Sequence, residues 1–242
     1  MAEEKQTFSL ALTERLDGVS EALPKDFNKT RFVQNALSVI NENPGLQKYN
    51  SSQLMGGLLK GAYLGLDFYS KECYLVPYGN QLNYQTSYLG AKKLAKKYSI
   101  RKIKDIGSKV VREGDFFEET GEGGNTSYIF KPKPFNNGNI IGAFAYVVFE
   151  DGGVTVDTMS LEELETTRKK SKMGNVGAWK DFTSEMYRKT VLHRLCKHIE
   201  LDFENLEQQS TYFQEYEIDN TREKEIVPDV FTECEVVNDD FE

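Results

Sequence analysis

The stretch ECYLVPYGNQLNYQTSYLG, Glu72 to Gly90, restricts the fold more than any other part of the chain. Two runs of aromatic and aliphatic residues flank Gly79-Asn80, a dipeptide suited to a tight turn, so the segment reads as a β-hairpin. Pro77 interrupts the first run and has no N–H to donate, which makes that strand an edge or ends it there. The chain then enters SYLGAKKLAKKYS, where Ala91, Leu94, Ala95 and Tyr98 recur at i, i+3, i+4 and i+7, the spacing of one buried helical stripe. Lys92, Lys93, Lys96 and Lys97 are thereby left to share the opposite face.

Upstream, EEKQTFSLALTERLDGVSEAL and KDFNKTRFVQNALSVINEN carry apolar residues at mixed three and four spacing, interrupted by Pro24 and closed by Pro44-Gly45. A further helix is expected in SSQLMGGLLKGAYLGLDF, with Ser51 or Ser52 as its cap and glycines that mark close packing. Downstream, KVVREGDFFEET and NIIGAFAYVVFEDGGVTVDTMS read as strands, with GEGGNTS and KPKPFNNG as loops. Ser160 and Glu163 form a capping box that opens another helix, and GAWKDFTSEMYRKTVLHRLCKHI reads as one long helix. Helices, then strands interleaved with one helix, then helices make an α+β fold: a small twisted β-sheet with a hairpin, packed by helices. Residues 1–45 form an N-terminal helical region suited to subunit contacts, 46–204 the α+β core, and 205–242 a mostly flexible acidic tail.

The formal net charge of -8 conceals an uneven distribution. Residues 201–242 hold 14 acids and two bases, which leaves the first 200 residues with a net charge of +4. Eight Lys/Arg lie between Lys92 and Lys109, Arg101 among them, against the single acid Asp105. A row of ammonium groups without acids at i±4 is poorly compensated within its helix. It is either a solvated face or a row of phosphate contacts, and Tyr84, Gln85 and Tyr88 just before it offer stacking and polar groups for the second reading. A second basic region includes Lys169, Lys170, Lys172, Lys180, Arg188, Lys189 and Arg194, with intramolecular ion pairs the competing explanation for Arg188 and Arg194.

Signals for catalysis are thin. His193 and His198 are five apart, unlike the i, i+4 pair of a zinc helix, and there is neither a Walker-type loop nor a GxSxG nucleophile motif. Asp115 with Glu118 and Glu119 could hold a metal only in principle. No cofactor and no catalytic residue are expected. Cys73, Cys196 and Cys234 are odd in number and widely spaced, which fits a reducing cytoplasm, and neither a signal peptide nor a membrane span is expected.

GLDFYSKECYLVPYGNQLNYQTSYLG, followed some ninety residues later by GAWKDFTSEMYRKTVLHRL, resembles the RecT family of phage single-strand annealing proteins. The likeness runs from about Leu46 to Ile199: a G-L-D turn, a YLVPYGN strand, a Q-x-x-Y-x-G turn into a helix, then Trp179, Met186 and KTVL. It implies a fold similar to the lambda Red beta annealing protein and ATP-independent pairing of single-stranded DNA into annealed duplex, on a homo-oligomeric ring or helical filament with a basic groove. A phage exonuclease and the host single-stranded-DNA-binding protein are the implied partners. The resemblance assigns Gln85 and Tyr88 to the turn contact and Lys189 with Thr190 to the late-helix motif. Leu89 and His193 stand where members commonly carry bases. A metal-dependent DNA-processing enzyme and an adaptor for an acidic partner are the rival readings.

Overall fold

A computed structural model describes residues 2–122, 125–171, 174–175 and 177–221. Among them are eight α-helices and seven strands in the order helix, hairpin, helix, strands, helix. The α+β class is the one the sequence implies, although the strands divide among three small antiparallel sheets rather than one.

The N-terminal half is built around α3 (Ser51–Leu64), which is capped by Asn50, one residue before the expected serines, through its side chain and Gln53 N. Helices α1 (Ala2–Gly18) and α2 (Lys29–Glu42) pack onto it, burying Leu12, Leu16, Phe32, Val33 and Ala36 with Leu54 and Leu58. The N-terminal helices therefore share a core with α3 and the hairpin. Gly57 lets the hairpin come close, since a Cβ there would stand 2.4 Å from Leu75 Cδ2, and Gly61 makes room for the Phe68 ring just before the hairpin, with Phe68 Cε2 2.6 Å from an added Cβ. The hairpin strands β1 (Cys73–Tyr78) and β2 (Gln81–Thr86) are joined by Gly79-Asn80, with Gly79 at φ 58°. Leu75 opposes Tyr84, and both face this core.

The second half packs helices on β3 (Ile103–Arg112), β6 (Ile140–Phe149) and β7 (Val154–Ser160), ordered β3-β6-β7. Strand alternation splits β6 cleanly. Ala143, Ala145 and Val147 meet the helices, whereas Phe144 lies beneath a second hairpin, β4 (Phe116–Glu122) and β5 (Asn125–Lys131), 4.7 Å from the Phe117 ring centroid and 5.1 Å from that of Phe130. Helix α5 (Leu161–Lys170) begins at the Ser160–Glu163 capping box. The long helix read from the sequence breaks at Phe182, whose φ of -129° and ψ of 44° separate α6 (Ala178–Asp181) from α7 (Thr183–Lys197).

Helix α4 (Tyr88–Tyr98) joins the halves. Its buried stripe serves two cores: Leu94 and Tyr98 belong to the first, Ala91 and Ala95 to the second. The segment expected to open the loose tail at residue 205 is helical among the described residues. Leu206–Thr221 forms α8, which buries Gln208, Thr211 and Tyr212 and stacks Tyr212 on Phe203 at 5.1 Å. Residues 222–242 of that expected tail lie outside the described residues.

Candidate nucleic-acid interface

The entry to α4 is fixed by Ser87, which is buried. Its hydroxyl oxygen accepts from the N–H groups of Leu89 at 3.1 Å and Gly90 at 3.2 Å and donates to the Lys71 carbonyl at 2.7 Å. Its own N–H donates to the Glu72 carbonyl at 3.0 Å. These bonds hold the first turn of α4 against the entry to β1, so the Q-x-x-Y-x-G residues Gln85, Tyr88 and Gly90 are set by backbone contacts. Gln85 and Tyr88 are half-buried. Tyr84, expected beside them as a stacking platform, is instead a core residue 7% exposed, because strand alternation turns it with Leu82 toward α3 and Phe68.

The lysine row is divided by partners from elsewhere in the chain. The Lys93 ammonium donates to the Gly65 carbonyl at 2.9 Å and to Glu72 Oε2 at 2.6 Å. Lys97 reaches Asp26 at 2.5 Å, and that hydrogen bond is the main cause holding the Asp26 carboxyl below its ordinary value. Arg101 grips Asp151 through Nε at 3.0 Å and Nη2 at 2.9 Å and lies 3.9 Å from the Phe149 ring centroid. Lys92 and Lys96, one turn apart, have no carboxylate partner among the described residues. Lys92 lies near α7: burial pushes the Cys196 thiol up to about 12, and the Lys92 charge acts in the opposite sense.

The second basic region divides likewise. Lys189 lies with its ammonium 5.1 Å from the Tyr88 ring centroid, so the packing of α7 on α4 gathers Tyr88, Lys92 and Lys189. Arg188 turns away, donating from Nε to the Ser108 carbonyl at 3.1 Å and from Nη1 to Glu185 at 2.7 Å. Thr190 donates to the Met186 carbonyl within its own helix at 2.9 Å. Arg194 is a brace: Nε and Nη2 donate to Asp157 at 2.8 and 2.5 Å, and Nη1 donates to Glu163 at 3.3 Å. The bond to Asp157 is the main cause that raises its pKa. Lys169 and Lys170 are exposed in the last turn of α5, where positive charge suits the helix dipole, and Lys180 is exposed on α6. Lys172 lies outside the described residues.

Sequence reasoning counted Lys109 in the first basic region without naming it as a contact and passed over Arg112 and Lys133; the fold gathers all three with Arg188 around a cavity of about 360 Å³. The only signal was the presence of bases in KVVRE and KPKP, some twenty residues apart, and nothing local joined them. Asp115, weighed as a metal ligand, accepts from the backbone N–H groups of Arg112 and Lys133 and from the Asn136 side-chain amide. No three His, Cys, Asp or Glu side chains converge to hold a metal ion among the described residues.

The model of the RecT family matches residues 30–230. The chain belongs to the RecT family. It is similar to Protein RecT of Escherichia coli (strain K12), with 28% identity over 197 residues that cover 77% of this chain and 72% of the other. RecT membership supports a role in DNA recombination by single-strand annealing, with single-stranded DNA as the ligand. The RecT match includes the hairpin, α4 and α7, and so both segments that meet at Tyr88 and Lys189. No helix among the described residues of this RecT family member is long and apolar enough to cross a membrane.

Proposed function

We propose that the protein anneals complementary DNA strands without nucleotide hydrolysis by holding one strand along a basic track formed by Lys92 and Lys96 of α4 and Lys189 of α7. Tyr88 and Gln85 stand at the start of the track in this reading, and Lys169, Lys170 and Lys180, which are exposed, are further candidate phosphate contacts. Lys93, Lys97, Arg101, Arg188 and Arg194 brace the scaffold through their ion pairs. Ammonium groups neutralise phosphates without reading sequence, which leaves base edges free to test a second strand. Pairing supplies the specificity, and no covalent bond changes. Protomers assembled in a ring or filament, with α1 and α2 at their contacts, sum weak sites into stable retention of the annealed duplex. An exonuclease that exposes the strand and the host single-stranded-DNA-binding protein are the partners such a reaction needs in the bacterial cytoplasm.

The observation that carries the reading is the packing of α4 on α7, which gathers bases from two distant segments beside Tyr88. Titration of a labelled oligonucleotide across salt concentrations tests it. The triple variant Lys92→Ala, Lys96→Ala, Lys189→Ala is expected to bind all sequences more weakly, with a log–log salt slope shallower by about 2, at about 0.7 for each phosphate no longer neutralised. Lys97→Ala, whose charge is matched by Asp26, is expected to keep the parent slope. A triple variant with the parent slope would refute the track.

A further inference from the structure

We propose a second nucleic-acid contact, separate from the α4–α7 track: the cavity at the outer edge of β3 takes a phosphodiester of the strand, and Phe135 beside it stacks a base. The inference rests on DNA being the ligand, as in the proposed function, but on different residues.

The cavity opens where β3, the end of β5, the loop after β5 and α7 meet, and four cations line it: Lys109, Arg112, Lys133 and Arg188. Asp115 is the one carboxylate in its lining, and three hydrogen bonds already engage its oxygens. It accepts N–H groups from Arg112 and Lys133 at 2.9 Å and from the Asn136 amide at 2.7 Å. Burial favours its neutral form, yet these hydrogen bonds outweigh that and hold it below the ordinary carboxylate range. Arg112 donates one N–H to the Gly138 carbonyl at 2.8 Å, and Arg188 shares its charge with Glu185. Lys109 and Lys133 are exposed, and neither has a carboxylate partner among the described residues. The Lys109 ammonium stands 5.7 Å from the Phe130 ring centroid on the cavity wall. A concave site with this excess of positive charge suits an anion.

The neighbouring loop narrows the class of anion. Phe135 is 99% exposed, and its backbone has φ 52°, a left-handed conformation unfavourable for a bulky residue. The conformation is held from both sides: Lys133 N donates to Asp115 before it, and after it the Asn136 amide donates to the Glu113 carbonyl at 3.0 Å as well as to Asp115, while the Asn136 side-chain oxygen accepts from Gly138 N at 2.8 Å. The same Asp115 thus ties down the backbone at Arg112 and Lys133 and braces the loop that displays the ring. Strain that surrounding bonds maintain, and that presents an apolar ring to water, is a reason to look for a ligand. Inorganic phosphate would use the cations and ignore the ring. A polynucleotide uses both, since every base has a face to stack while its phosphate is neutralised. Arg188 and Lys189 are consecutive on α7 and diverge, one toward this cavity and one toward Tyr88, so the two contacts lie on different sides of one helix.

Three variants of the full chain separate the cases, with an oligothymidylate carrying a fluorescent base analogue as the probe. Lys109→Gln with Lys133→Gln is expected to flatten the log–log salt slope by about 1.4, two phosphates at about 0.7 each. Phe135→Ala is expected to weaken binding roughly tenfold at unchanged slope and to abolish the change in analogue fluorescence, and Phe135→Trp to restore both. All three side chains are exposed, so the substitutions leave the core intact. Parent behaviour in these variants alongside impaired binding by the Lys92, Lys96, Lys189 triple variant overturns the cavity and spares the track. The reverse pattern supports the cavity and overturns the track, and parent behaviour in every variant overturns both. In a second arm, inorganic phosphate at constant ionic strength is expected to compete weakly. Tight phosphate binding by calorimetry that the Lys109/Lys133 variant loses would identify a free-anion site and overturn the nucleic-acid assignment.

Discussion

Alanine at Gly90 would place its Cβ 2.1 Å from the carbonyl oxygen of Glu72 and 2.9 Å from Thr86 Cγ2. The nearer atom is backbone, so no side-chain rotation relieves the clash; α4 and the entry to β1 have to separate. That separation strains or breaks the bond from Ser87 N to the Glu72 carbonyl, at 3.0 Å in the intact structure. Overpacking of a well-filled site costs about 1–3 kcal/mol, and a broken hydrogen bond about 1 kcal/mol. Alanine in place of glycine returns about 1 kcal/mol of helix propensity. The net expectation is that Gly90→Ala destabilises the fold by about 1–3 kcal/mol, the sign opposite to that of propensity alone. Gly56→Ala is the matched control, since Gly56 lies within α3 with nothing inside 4 Å of the added Cβ, and it should be neutral or stabilising by up to about 1 kcal/mol. Urea unfolding monitored by circular dichroism, with linear extrapolation, reads both. A Gly90→Ala protein as stable as the parent would show that α4 is not held by this approach and would undo the account of how Tyr88 is positioned.

Two further outcomes are expected. Arg194→Ala should destabilise by about 2–3 kcal/mol by leaving the largely shielded Asp157 carboxylate without its two donors, and Arg194→Lys should recover less than half, because one ammonium cannot reproduce the paired N–H geometry. An Arg194→Ala protein of parent stability in urea would make Arg194 a candidate DNA contact again. The carboxyls of Glu163, Glu165 and Asp26 are held below their ordinary values, chiefly by hydrogen bonds from Ser160 N–H, the Tyr187 hydroxyl and Lys97. As pH falls the unfolded chain takes up protons first, so the stability these groups contribute is complete at neutral pH and is lost below about pH 4. A urea midpoint that stays flat from neutral pH into that range would contradict it.

The features legible in the sequence are those whose causes lie within a few residues. The Gly79-Asn80 turn, the Ser160–Glu163 capping box and the stripe of Ala91, Leu94, Ala95 and Tyr98 each arise from spacing that a strand or helix converts directly into direction. The motifs of the RecT family are of the same local kind, which is why resemblance and family match agree. By contrast, the helix break at Phe182 and the continuation of order into α8 depend on packing that local periodicity does not report.

Charge and exposure were decided by the tertiary structure. Four lysines on one face look equivalent along α4, yet Glu72 and Asp26 neutralise two of them, from 21 and 71 residues away. Tyr84 looked like a stacking platform until strand phase turned it into the core, and Arg194 looked like a phosphate contact until Asp157, 37 residues distant, closed on it. The same long-range closure assembled Lys109, Lys133 and Arg188 around one cavity. Local propensity sets where elements begin and which stripe they bury; which charges remain unmatched is settled only when distant segments meet, because a Coulomb partner or a hydrogen bond is a matter of distance in space.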